Sequence, residues 1–171
     1  RGDTAAVLGL RREQHGRMPS SSTYAWLQTA ARAIDAWADE RGPAREILAG
    51  RDTGGFVDAL MADGDVDEAW EVAMSADQAT IGWRRLAQLA EAREPADPAG
   101  AMGVYLRLVE STLQTADRKA YNSAAKHLKA ARRAAAAAGL ADEFDEYLTA
   151  LRELHCRRPS LIEILDKSGL G

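Results

Sequence analysis

The chain has one cysteine, Cys156, and that scarcity excludes several kinds of protein at once. No internal disulfide can form, and a zinc site built mainly from cysteines has no ligands to draw on. A lone thiol fits a reducing compartment, so the cytoplasm is the expected location. Aromatic residues make up only 6% of the sequence, and valine and isoleucine are sparse, which leaves little material for β-sheet. No apolar run reaches the length of about 18 residues that a membrane-spanning helix needs. No basic-then-apolar leader with a small-residue cleavage site opens the sequence. It starts at Arg1, not methionine, and is therefore expected to be a fragment of a longer protein, folding as one domain over residues 1–171.

The charge is also modest. A formal net charge of −4 argues against a whole-surface binder of nucleic acid or anionic membrane.

What the sequence has in quantity is helix-forming residues. Alanine supplies about a fifth of the chain, and Leu, Arg and Glu share its preference, so propensity points to helix along most of the length. The expected class is all-α, with antiparallel helix pairs stacked as a right-handed solenoid or packed as an irregular helical bundle.

Roughly nine or ten helices are expected from the periodicity and the turn residues. The first starts near Asp3 or Thr4, carries Val7, Leu8 and Leu10, and dies at Gly16 and Pro19. Ser20 to Ser22 offer caps for a second helix whose inner stripe is Tyr24, Leu27, Ala30, Ala31, Ile34 and Trp37, ended by Gly42-Pro43. A short piece with Ile47 and Leu48 follows, and Asp52-Thr53-Gly54-Gly55 reads as a break. Phe56, Val57, Leu60 and Met61 belong to the next helix, closed by Asp63-Gly64-Asp65. Asp65 is expected to cap the helix of Val66, Ala69, Trp70 and Ala73, with Glu68 completing a capping-box-like pair.

Asp77 opens a helix through Ile81, Trp83, Leu86 and Ala90, and Pro95 and Pro98 punctuate the turn before one with Met102, Tyr105, Leu106, Val109 and Leu113. Asp117 and Gly139 bracket a long helix as N-cap and left-handed C-cap. Beyond it, Phe144, Tyr147, Leu148, Leu151 and Leu154 are expected to face inward, and Pro159 starts a last helix through Leu161, Ile162 and Leu165, ended by Gly169. The four tryptophans, Trp26, Trp37, Trp70 and Trp83, fall at apolar-face positions and are expected to pack between helices.

No catalytic constellation emerges. His155 and Cys156 are adjacent, so on a helix they point about 100° apart and cannot act as one base–nucleophile or ligand pair. His15 and His127 have no obvious partner, Cys156 reads as a semi-buried filler, and no metal or cofactor is expected. The acidic clusters at residues 63–68 and 142–146 sit at helix starts, where carboxylates offset the helix dipole. Gly54-Gly55 lacks the Lys-Ser or Lys-Thr of a phosphate-binding loop.

One charge pattern stands apart. On the helix after Asp117, Lys119, Lys126, Lys129 and Arg133 share a face, with Arg157 and Arg158 further along the sequence. These six are the candidate anion- or nucleic-acid-binding face. The competing reading is a solvated surface whose charges meet the acidic start of the next helix, and the lack of interleaved aromatics favours it.

Two resemblances add to this reading. Trp83-x-x-Leu86-Ala87-x-x-Ala90 followed by Ala101-x-x-x-Tyr105 resembles the tetratricopeptide pattern, with a stretched turn and no terminal proline. The C-terminal stretch, with Ala120-Tyr121, Phe144-x-x-Tyr147-Leu148-x-x-Leu151-Arg152-x-x-His155, Arg157-Arg158-Pro159-x-Leu161 and Leu165-Asp166-x-x-Gly169-Leu170, resembles the C-terminal helical region of bacterial SWIM zinc-finger proteins. That resemblance runs from about residue 20 onward. It implies a helical portion downstream of the finger in a bacterial parent protein, since one cysteine cannot form the Cys-x-Cys…Cys-x-His element. The function expected is a non-enzymatic helical-repeat domain binding a protein or peptide, with a nucleic-acid-binding accessory role as the alternative.

Overall fold

A computed structural model describes residues 2–171. Every regular element among them is a helix: α1 (Gly2–Arg17), α2 (Ser21–Arg32), α3 (Trp37–Arg51), α4 (Thr53–Asp63), α5 (Val66–Ser75), α6 (Gln78–Ile81), α7 (Trp83–Arg93), α8 (Pro98–Thr112), α9 (Arg118–Ala138), α10 (Ala141–Leu154) and α11 (Pro159–Lys167). The all-α expectation holds. The helices group into two compact units, one ending at Arg85 and the other spanning Leu86–Gly171.

In the first unit each helix from α1 to α4 packs on its sequence neighbour, and α1 also meets α3 while α2 meets α4. Its core gathers Leu8, Tyr24, Leu27, Ala31, Ala44, Leu48 and Ala59, with Trp37 and Phe56 against it. His15 is fully buried. Its Nε2–H donates to the Ala44 carbonyl at 3.0 Å, and its Nδ1 lies 2.9 Å from the Thr23 hydroxyl oxygen. His15 thus has the partners the sequence did not reveal, and it ties α1 to α2 and α3.

The helix breaks differ from expectation in four places, each for a local reason. The stripe from Tyr24 to Trp37 is not one helix. It stops at Arg32, and Asp35 adopts a left-handed φ of 58°, letting the Ala36 N–H return to the Ala31 carbonyl at 2.9 Å; this is the closure glycine usually provides. Gly42-Pro43 does not end a helix either, because Pro43 lies inside α3. The cost of an interior proline, about 3 kcal/mol, is met by anchors on both sides of it: Glu40 bonded to Arg12, then Ala44 and Leu48 buried and Arg45 bonded to Asp63.

The break at Asp52 to Gly55 shrinks to one residue. Asp52 ends α3 and caps α4 through the Gly55 N–H at 2.8 Å. Conversely, Gly82, at φ 81°, divides the helix expected after Asp77 into α6 and α7.

The capping expected of Asp65 also fails, since its side chain makes no cap bond and is held by Arg45 instead. A reciprocal capping box does occur, at Ser20 and Thr23 before α2. Asp97 and Asp117 cap α8 and α9 through Gly100 and Ala120 at 2.9 and 2.7 Å.

In the second unit α9 is the central element, in contact with α8, α10 and α11. Its inner face is almost all alanine: Ala120, Ala124, Ala125, Ala131, Ala134 and Ala135 are buried with Tyr121 and Leu128. Small side chains let α8 and α9 approach closely along their length. Arg133, late in α9, bonds Glu94 just before α8, so the two helices run antiparallel. Gly139 ends α9 in the left-handed conformation, as the sequence predicted.

Candidate interaction surfaces

Two surfaces of the second unit merit a chemical reading. The first is a cleft of about 370 Å³ between the ends of α8 and α10 and the turn into α11. Its walls are Glu110 on α8 and Leu113 at its C-cap, Tyr147, Leu151 and Leu154 on α10, and Arg158 beyond. The apolar stripe of α10 outlasts the layer it packs against. Phe144, Leu148 and Leu151 are buried, but Leu154, expected to face inward, is 77% exposed at the rim.

Polar groups sit at the two ends of this cleft. Glu110 acts electrostatically on the Tyr147 phenol, which burial first and that carboxylate second push up to about 12. The Tyr147 hydroxyl is buried with no hydrogen-bond partner among the described residues, an uncommon condition that costs about 1–3 kcal/mol. At the other end Arg158 Nη1 donates to the Leu113 carbonyl at 2.9 Å. Burial, then the neighbouring Arg158 charge, hold His155 below the usual imidazole range.

The second surface is the basic face. Lys119, Lys126, Lys129 and Arg133 are exposed on α9, within an arc of about 80° at 100° per residue. Arg133 is committed to a two-bond pair with Glu94, both bonds 2.6 Å long. The pair holds the Glu94 carboxyl below its ordinary range. Lys119, Lys126 and Lys129 make no ion pair among the described residues, and the acidic start of α10 does not neutralise them. Arg157 is exposed in the turn before α11, whereas Arg158 is half-buried and serves the cleft. Four of the six predicted residues therefore share one helix face, and Arg158 belongs to another surface.

The cleft was missed in the sequence because periodicity cannot tell where a neighbouring layer ends. The one available signal was Leu154, an apolar residue in the last turn with only polar residues after it.

Other expectations also shift. Cys156 is exposed rather than semi-buried. Trp26 and Trp83 are 46% and 44% exposed rather than packed between helices, and the Arg11 guanidinium lies 5.2 Å above the Trp26 ring. Trp37 and Trp70 are half-buried. A second, larger groove of about 680 Å³ between α9 and α10 has its arginines in use. Arg132 and Arg152 donate to the Gly169 and Leu170 carbonyls.

Among the described residues no three His, Cys, Asp or Glu side chains gather as a metal site, and no helix is long and apolar enough to cross a membrane. Compared with known proteins, the chain matches no family model, no curated protein and no solved structure.

Proposed function

We propose that this chain is a non-catalytic, tetratricopeptide-like helical domain that docks a protein or peptide partner in the cleft between α8 and α10. The observation that carries the reading is the pairing of an exposed Leu154 with an apolar floor and a few polar groups at the ends. Grooves of this kind take an apolar side chain from an incoming helix or strand. The resemblance to SWIM zinc-finger proteins fits the same reading, with the domain serving as a recognition module beside a finger in a bacterial parent protein.

The test is selection of displayed peptides on the immobilised protein, followed by titration of the enriched sequences. Binding lost in Leu154→Asp and retained in Lys126→Glu/Lys129→Glu is the expected result. Enrichment of no sequence, or of sequences indifferent to Leu154→Asp, overturns the reading.

The three α9 lysines that make no ion pair among the described residues favour a second reading, an accessory contact to nucleic acid through phosphates. Binding of duplex or single-stranded DNA at low salt, weakened by added salt and lost in Lys126→Glu/Lys129→Glu, supports it. No binding at low salt removes it.

A further inference from the structure

α1 has two faces, and the core uses only one of them. Of its described side chains, Leu8 and His15 alone are buried, while residues 3–7 are exposed throughout. The second face carries Asp3, Val7, Leu10, Gln14 and Arg17, which recur at alternating steps of four and three within an arc of about 80°. Leu8 and His15 lie about 130° round the helix from the middle of that arc. Leu10 is 60% exposed, and Met18, just past the end of α1, is 67% exposed.

α2 extends this outer face. It runs antiparallel to α1, since His15 meets Thr23 and Arg11 lies over Trp26. The exposed Trp26 ring therefore flanks Leu10 and Arg11, and Ile34, just beyond α2, lies toward the start of α1. Of the seven large apolar side chains exposed among the described residues, five fall between Val7 and Ile34. Apolar side chains gathered this way on a surface mark an interface.

The charges identify what covers it. Asp3 and Arg17 are each seven residues from Leu10, so they stand about 10.5 Å of helix rise from it in opposite directions. Asp3 makes no ion pair among the described residues, and Arg17 makes there only an exposed pair with Glu13, of a kind that contributes little. A copy of α1 turned end for end about Leu10 brings the partner subunit's Arg17 level with Asp3, and the partner subunit's Asp3 level with Arg17. The stripe is complementary to itself, as a two-fold interface requires. The reversed sense also sets the first turn of each helix beside the last turn of the other, where the dipoles attract.

We propose that the outer face of α1 binds a second copy of this chain. The two α1 helices lie antiparallel, Leu10 meets Leu10 across the two-fold axis, each Asp3 pairs with the partner subunit's Arg17, and Trp26 covers the flank. This surface belongs to the first unit and is independent of the cleft. One helix pair with a tryptophan beside it buries less than the roughly 800 Å² per partner of a standard interface, so the dimer should be weak, with a Kd on the order of 10 μM.

Sedimentation equilibrium from about tenfold below to tenfold above that value reads the dimer directly. Leu10→Asp should raise Kd at least about tenfold. Its far-UV circular dichroism and melting, taken where wild type is monomeric, should be unchanged because Leu10 lies outside the core. Asp3→Arg and Arg17→Asp each turn both ion pairs into like-charge contacts, and each should raise Kd about tenfold. Asp3→Arg/Arg17→Asp together should restore Kd to within about threefold of wild type. A monomer at every concentration overturns the proposal and leaves the face to a different partner. A dimer indifferent to Leu10→Asp overturns it as well. Single charge variants without effect, or a double variant no better than the singles, overturn the antiparallel arrangement.

Discussion

Arg45 and Asp63 meet across α3 and α4, with Arg45 Nη2 2.6 Å from Asp63 Oδ2 and the carboxylate side chain only 2% exposed. Three further groups complete the site. The Tyr24 hydroxyl donates to the same oxygen at 2.6 Å, and Gln28 donates to Oδ1 at 2.8 Å. Arg45 also reaches Asp65, at the start of α5. One carboxylate therefore has donors from α2 and α3 while standing at the end of α4.

Removing that carboxylate leaves a buried phenol without its acceptor and a partly buried guanidinium with only its more exposed partners, Asp65 and Glu68. Asp63→Ala is expected to destabilise the protein by about 3–5 kcal/mol, as for one-sided loss of a buried pair. Asp65→Ala, which removes an exposed partner and no cap, should cost far less. Denaturant melts of the two variants, side by side, check the contrast.

His15 has both ring nitrogens engaged at full burial. His15→Phe keeps an aromatic ring in place but removes both side-chain bonds, to the Ala44 carbonyl and the Thr23 hydroxyl, so a loss of about 1–3 kcal/mol is expected. Thermal unfolding measures it. A change within error would mean that the two bonds contribute no net stability.

Glu94 supplies a pH dependence with a definite sign. Its carboxyl is held below the ordinary range by Arg133 first, with Tyr105 adding a second donor. A depressed folded-state value means the stabilisation is complete above the unfolded-state range, about 4.3 for glutamate, and is lost as pH falls through the folded value. Glu40, held down by Arg12, acts in the same direction. The melting temperature should therefore fall on acidification below that range. Glu94→Gln, which cannot titrate, should shallow the acid limb of the profile.

Two glycines predict opposite signs for one substitution. Gly139 sits at φ 71° as the C-cap of α9, and an L-residue there pays about 1–2 kcal/mol. Gly103 lies inside α8 with open space where its Cβ would be, and alanine there should stabilise by about 0.5–1 kcal/mol. Melting Gly139→Ala and Gly103→Ala together separates backbone strain from helix propensity.

The second unit was the more legible in the sequence, and the reason lies in where its signals sit. α9 has an aspartate cap, a regular inner stripe and a terminal glycine, all local. The first unit was harder because its breaks depend on distant partners. A left-handed aspartate at position 35 carries no signature that separates it from any helical aspartate. Pro43 stays inside α3 only because Arg12, Asp63 and the core hold the residues around it. Asp65 reads as a cap until Arg45, twenty positions earlier, claims its side chain. The cleft was invisible for a related reason, since the stripe that ends in Leu154 has the same period whether or not a neighbour covers it.

The alanine face of α9 has a mechanical consequence. Alanine has no rotamer to lose on folding, so most of this seam is ordered without side-chain entropy cost, Tyr121 and Leu128 being the exceptions. Nor can an alanine change rotamer, so few side chains there can swivel to absorb a neighbour's shift. Close-packed seams transmit strain, and the lysines on the outer side of α9 ride on the same helix.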